Sequence, residues 1–171
     1  KVVRPTKSNF LGFTFWKSKG SWKCRPAKDR KKNFYEKTRE ILCRKKEAER
    51  TIMSTFMQLN WLIRGWINYY RIGSMKGFLD EYGQWLRHKV RVVILKQWKK
   101  PKTIFKNLMA LNRIQKCGLE EKRMLSVANA RQGWYRMATI RDINFLLNPT
   151  ILGKKTKSRP RLVDPLTYYL S

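Results

Sequence analysis

Between Ala48 and Ile72 apolar side chains recur at spacings of four and three: Ile52, Phe56, Leu59, Ile63, Trp66 and Tyr70. That period belongs to a long amphipathic helix, which needs another surface to cover its stripe. Gly65 lies inside the run, where glycine costs ~1 kcal/mol relative to alanine, so a close neighbour of the backbone is expected there. Gly73 and Ser74 mark the helix end. A second amphipathic helix follows, with Phe78 or Leu79, Tyr82, Leu86, Val90 and Val93 inward and Arg87, Lys89, Arg91 and Lys96 outward, until Pro101 breaks it.

Upstream, a third and mostly solvated helix starts near Ala27, with a weak stripe of Phe34, Lys37/Thr38, Ile41 and Leu42. Downstream, Thr103 to Leu111 and Glu120 to Ala130 read as shorter helices, and Arg141 to Leu147 as one or two further turns. The pattern decays after Asn148-Pro149, and Gly153 to Arg161 reads as a mobile basic tail or linker. At the other end, Val2 and Val3 stop at Pro5. Phe10 to Trp16 alternates around Gly12, and Ser21 to Arg25 follows Lys19-Gly20. These are short strands with a hairpin turn at Lys19-Gly20, closed by Pro26. The expected fold is mainly α: a short N-terminal β hairpin, a three-helix bundle and shorter C-terminal helices.

Charge then limits the partners. The chain has 171 residues, with 40 Lys+Arg against 11 Asp+Glu, a net +29. Such a surface attracts polyanions, nucleic acid first and anionic membrane second. At 42% hydrophobic residues the chain nevertheless has enough to bury to fold. From Tyr82 to Leu119 no acidic residue occurs, so the cations there cannot be explained as a face laced with i,i+4 ion pairs. Arg87, Lys96, Lys99, Lys100, Lys102 and Lys106 are therefore candidate phosphate contacts. Arg64, Asn68, Tyr69 and Arg71 lie off the apolar stripe and are candidates for phosphate, sugar or base edge. Trp66 and Tyr70 lie on the stripe and are assigned to the core.

Other chemistry is poorly supplied. No apolar run approaches the ~20 residues of a membrane span. Cys24, Cys43 and Cys117 are few and far apart, which fits reduced, buried thiols. His88 is the single histidine, too little for a zinc site or a histidine-dependent hydrolase. Asp29, Asp80, Asp142 and Asp164 form no adjacent pair to hold the two metal ions of phosphoryl transfer. Asp80-Glu81 is expected to cap or solvate the first turn of the second amphipathic helix.

Several blocks carry a family resemblance. Phe10-Leu11-Gly12-Phe13 resembles the F-L-G-F block that closes the palm of group II intron reverse transcriptase/maturases. Leu62 to Gly73, reading L-I-R-G-W-I-N-Y-Y-R-I-G, resembles the signature of their maturase-specific thumb, or X, domain, with Ile63, Gly65, Trp66 and Tyr70 at its core. Gln97 to Thr103 (Q-W-K-K-P-K-T) and Arg131 to Ala138 (R-Q-G-W-Y-R-M-A) are similar to two later blocks, in the same order.

The resemblance implies the last palm strands at residues 1–26, the thumb at 27–100, the start of a DNA-binding region at 101–148 and a basic tail at 149–171. It implies binding to group II intron RNA in splicing and to an RNA–DNA template–primer duplex in reverse transcription and retrohoming. Target DNA and a palm-bearing chain are further partners, in a bacterial cytoplasm or an organelle. The polymerase aspartates and their Mg²⁺ would belong to a palm upstream, so the chain reads as a cofactor-free piece of a longer protein. Two other readings fit parts of this pattern: a split polymerase subunit docking through the Phe10 to Trp16 strand edge, and a general basic RNA-binding protein. Thr139 to Ile143 and the stretch after Lys154 depart from the family pattern.

Overall fold

The computed structural model describes residues 4–43, 52–155 and 161–171. Its elements are a 3₁₀ turn (Pro5–Lys7), strands β1 (Asn9–Phe10), β2 (Phe13–Ser18) and β3 (Ser21–Pro26), and a succession of helices. These are α1 (Lys28–Ile41), α2 (Ile52–Tyr70), α3 (Lys76–Trp98), α4 (Pro101–Gln115), α5 (Glu121–Ala128), α6 (Trp134–Met137), α7 (Arg141–Leu146), α8 (Pro149–Leu152) and α9 (Pro165–Leu170). The protein is mainly α, with its strands confined to the N-terminal end. The expected beginnings of the strand region at Val2 and Val3, of the long helix at Ala48 to Thr51, and most of the basic stretch before Arg161 lie outside the described residues.

Two compact units divide the chain, Lys1–Gly83 with Leu162–Ser171, and Gln84–Arg161. The division falls within α3.

In the first unit, Lys19 (φ 46°) and Gly20 (φ 80°) turn the hairpin, as two left-handed residues do in the tightest antiparallel connection. The sheet order is β1-β2-β3, so β2 is its central strand. Within the Phe10 to Trp16 segment, Phe13 and Thr14 are thus not at an open edge, because β2 pairs there with both β1 and β3. The outer side of β3 is engaged too, because the Ser74 N–H donates to the Cys24 carbonyl at 2.8 Å.

The core of this unit is aromatic. Phe34 on α1 stacks on Trp66 of α2, with ring centroids 4.5 Å apart, and lies 4.4 Å from Tyr82 of α3. Thr38 is fully buried one turn beyond Phe34. Its hydroxyl donates to the Phe34 carbonyl and accepts from the Tyr82 hydroxyl, each at 2.8 Å. Burial pushes the Tyr82 pKa far up, so the phenol stays protonated.

The buried face of α2 is Thr55, Phe56, Leu59, Ile63, Ile67 and Tyr70. Ile67 takes the place assigned to Trp66, which is half-buried at the edge of the stripe. Gly65 has no neighbour among the described residues where its Cβ would be, so no close approach by them explains it.

The C-terminal segment is not a free tail. Leu162 and Val163 are buried, the Val163 N–H donates to the Asn60 side-chain oxygen at 2.8 Å, and α9 packs against α2. Asp164 caps α9 by accepting from the Thr167 N–H at 3.1 Å, with Pro165 in the first turn. The Tyr169 hydroxyl donates to the Gly73 carbonyl at 3.0 Å.

In the second unit, Val90 to Leu95 of α3 are buried on every side, as a core helix is. They share that core with Ile104 and Leu108 of α4, Met124 of α5, Met137 of α6 and Ile143 and Leu146 of α7. Arg91, expected to face outward, is buried among them, its Nε donating to the Leu147 carbonyl at 3.0 Å. Burial lowers its pKa, helped by Arg87. Asp142, also buried, pairs with Arg123 at 2.7 Å. Asn148 caps α8 by accepting from the Ile151 N–H at 2.9 Å.

Asp80 and Glu81 fall beyond the first turn of α3, which contains no acidic residue. The three cysteines are free, but none is fully buried and Cys43 is exposed. Among the described residues no helix is long and apolar enough to cross a membrane.

Candidate nucleic-acid interface

Gly12 sits at φ +81°, and a Cβ there would stand 2.7 Å from the Tyr70 hydroxyl. Glycine is required at this point on both counts. The turn it permits puts Phe13 edge-on to Tyr70 at 5.0 Å and lets the Leu11 carbonyl accept from the Tyr69 hydroxyl at 3.1 Å. The first two sequence blocks are therefore packed on each other. Within them Phe13 is buried, whereas Phe10 and Leu11 are 65% and 67% exposed, so the apolar core of the block is Phe13 alone. Burial raises the Tyr70 pKa, nearby Arg30 opposing it.

The candidates off the α2 stripe also have internal work. Asn68 accepts from the Tyr168 hydroxyl at 3.1 Å, and Arg64 lies 5.8 Å from the Tyr168 ring. Tyr69 is held by Leu11 yet remains 56% exposed. Arg71 is exposed. Sequence periodicity placed these residues outward correctly, but it could not show that α9 and the Leu11 turn would meet them.

A shallow cavity of about 380 Å³ opens beside this helix, lined by Arg30, Lys37, Trp61, Gly65 and Trp66 among others. Trp61 at its rim is 66% exposed.

The second unit presents its cations differently. Lys99, Lys100, Lys102 and Lys106 are exposed at the start of α4, and Arg113 and Lys116 near its end. None of the six has an ion-pair partner among the described residues. Pro101 does more than end α3: it occupies the first turn of α4, whose N-cap Lys100 makes no side-chain capping bond. Arg87 and Lys96 are half-buried and so belong less fully to this surface. Lys89 lies over the rings of Trp85 and Tyr135, at 5.9 and 5.0 Å.

His88 meets the Tyr135 ring edge-on at 4.4 Å, and its Nε2 is buried with no hydrogen-bond partner among the described residues. Burial lowers its pKa, with Lys89 and Arg91 adding repulsion.

Residues 31–111 match the family model of the group II intron maturase-specific domain. The chain carries a group II intron maturase-specific domain. The matched span runs past Lys100 into α4, so the exposed Lys99 to Lys106 stretch belongs to the maturase-specific domain itself. No curated protein matches the chain at a significant level. Among the described residues no three His, Cys, Asp or Glu side chains come together as a metal site.

Proposed function

We propose that this chain holds group II intron RNA for a maturase, stabilising the folded intron for splicing. In a reverse-transcribing parent the same domain would grip the RNA–DNA template–primer duplex, with polymerase chemistry supplied by a separate palm. The observation that carries this reading is the coincidence of the maturase-specific match with the lysines exposed at the start of α4, which have no ion-pair partner among the described residues. Carboxylates are absent from the sequence between Tyr82 and Leu119, so nothing in that stretch offsets their attraction for phosphate. Phosphate contacts position an RNA, and each one displaces counterions.

Replacing Lys99, Lys100 and Lys102 together by alanine tests the reading. The account expects weaker binding to group II intron RNA and a shallower plot of log affinity against log salt, by roughly 0.7–0.9 per lost phosphate contact. An unchanged slope removes the start of α4 from the interface. Circular dichroism should show an unaltered fold, because all three side chains are exposed.

A further inference from the structure

Two blocks about thirty residues apart in the sequence line one cavity of about 560 Å³ in the second unit. Lys99, Pro101 and Ile104 come from the start of α4, and Arg131, Trp134 and Met137 from the segment leading into and through α6. The volume lies within the range of small-ligand sites. No carboxylate lines it. Neither Lys99 nor Arg131 has an ion-pair partner among the described residues.

Lys99 stands at φ 53°, the left-handed conformation that usually falls to glycine after a helix; here the position carries a cation instead. Gly133, at φ 77°, supplies the turn that starts α6 beside the cavity. Trp134 is half-buried, which leaves part of its indole available. An apolar floor, an aromatic wall and two uncompensated cations suit a flat heteroaromatic ring joined to an anion.

We propose that this cavity seats one unpaired nucleotide of a bound RNA, the base against Trp134 and its phosphates held by Lys99 and Arg131. The inference rests on the RNA-binding reading above. Unpairing matters because only an unstacked base offers a face to an aromatic side chain, whereas a duplex offers the protein its backbone.

The test uses the full chain and two RNAs of equal nucleotide count, one single-stranded and one a blunt duplex. Lys99→Ala with Arg131→Ala, and separately Trp134→Ala, should weaken single-strand binding tenfold or more and duplex binding less than threefold. Trp134→Phe should retain most of the single-strand affinity. Lys102→Ala with Lys106→Ala, away from the cavity, should weaken both RNAs alike.

If Trp134→Ala melts early, the exposed pair Lys99 and Arg131 carries the comparison. Equal losses on both RNAs, or no loss on the single strand, would overturn the site while leaving RNA binding intact. A wild-type chain that binds neither RNA would instead overturn the RNA-binding reading itself.

Discussion

In the first unit, Arg64, Asn68 and Tyr69 are each engaged by a ring, a hydroxyl or a carbonyl of the same fold. In the second, Lys99, Lys100, Lys102 and Lys106 stand exposed without an ion pair among the described residues. Both stretches are rich in cations and aromatics, and composition alone does not tell them apart. What separates them is whether the fold offers an internal partner. The Leu62 to Gly73 block joins α2 to the Gly12 turn and to α9. The Lys99 to Lys106 block is left for an external polyanion.

The largest effect should come from Phe34→Ala. Phe34 is 1% exposed between Trp66 and Tyr82, and loss of a buried phenylalanine costs ~3–5 kcal/mol. Urea unfolding would measure it. A small change would mean that the Phe34, Trp66 and Tyr82 cluster does not hold the first unit.

Two glycines sharpen the same point with opposite signs. Gly12→Ala should destabilise by ~1–3 kcal/mol, from its left-handed backbone and the collision with the Tyr70 hydroxyl. Gly65→Ala, in an exposed helical position with open space around it, should stabilise by up to ~1 kcal/mol. If Gly65→Ala keeps its fold and loses RNA affinity, the open face of α2 also meets RNA, and the contrast between the units fails.

The smallest effect concerns His88, which faces the Tyr135 ring and the cations Lys89 and Arg91. Its folded pKa lies below the ordinary 6.5. As pH falls through that value the unfolded chain takes up a proton that the folded chain refuses. Stability therefore declines from near pH 6.5 down to the folded pKa and then levels off with respect to this group. The melting temperature of the wild type should fall more between pH 7 and pH 5 than that of His88→Gln. Equal falls would show that His88 is not held neutral.

Much of the architecture was legible because it is periodic. The α2 stripe, the Lys19-Gly20 turn and the break at Pro101 are all local signals. Trp66 misled because it shares the Ile67 side of the stripe, and only the Phe34 ring decides that it stacks at the edge. Arg91 misled because a cation on a helix is read as outward. Its partner, the Leu147 carbonyl, is 56 residues away.

The C-terminal helices left a signal that periodicity ignores. Asn148-Pro149 and Asp164-Pro165 are each a capping side chain followed by a first-turn proline. Leu162 and Val163, a two-residue apolar pair without a period, gave no sign of docking on the first unit. At the candidate interface the cations were legible from the missing carboxylates. The meeting of Lys99 with Arg131 and Trp134 in one cavity needed the tertiary fold.

The most direct test of the account is a competition titration at two salt concentrations. The competitors are group II intron RNA, an RNA–DNA template–primer duplex and an unrelated structured RNA of equal length. The account predicts that intron RNA is preferred over the unrelated RNA by tenfold or more, ~1.4 kcal/mol, at the higher salt. Equal affinities that collapse together as salt rises would contradict it, leaving a basic surface without recognition.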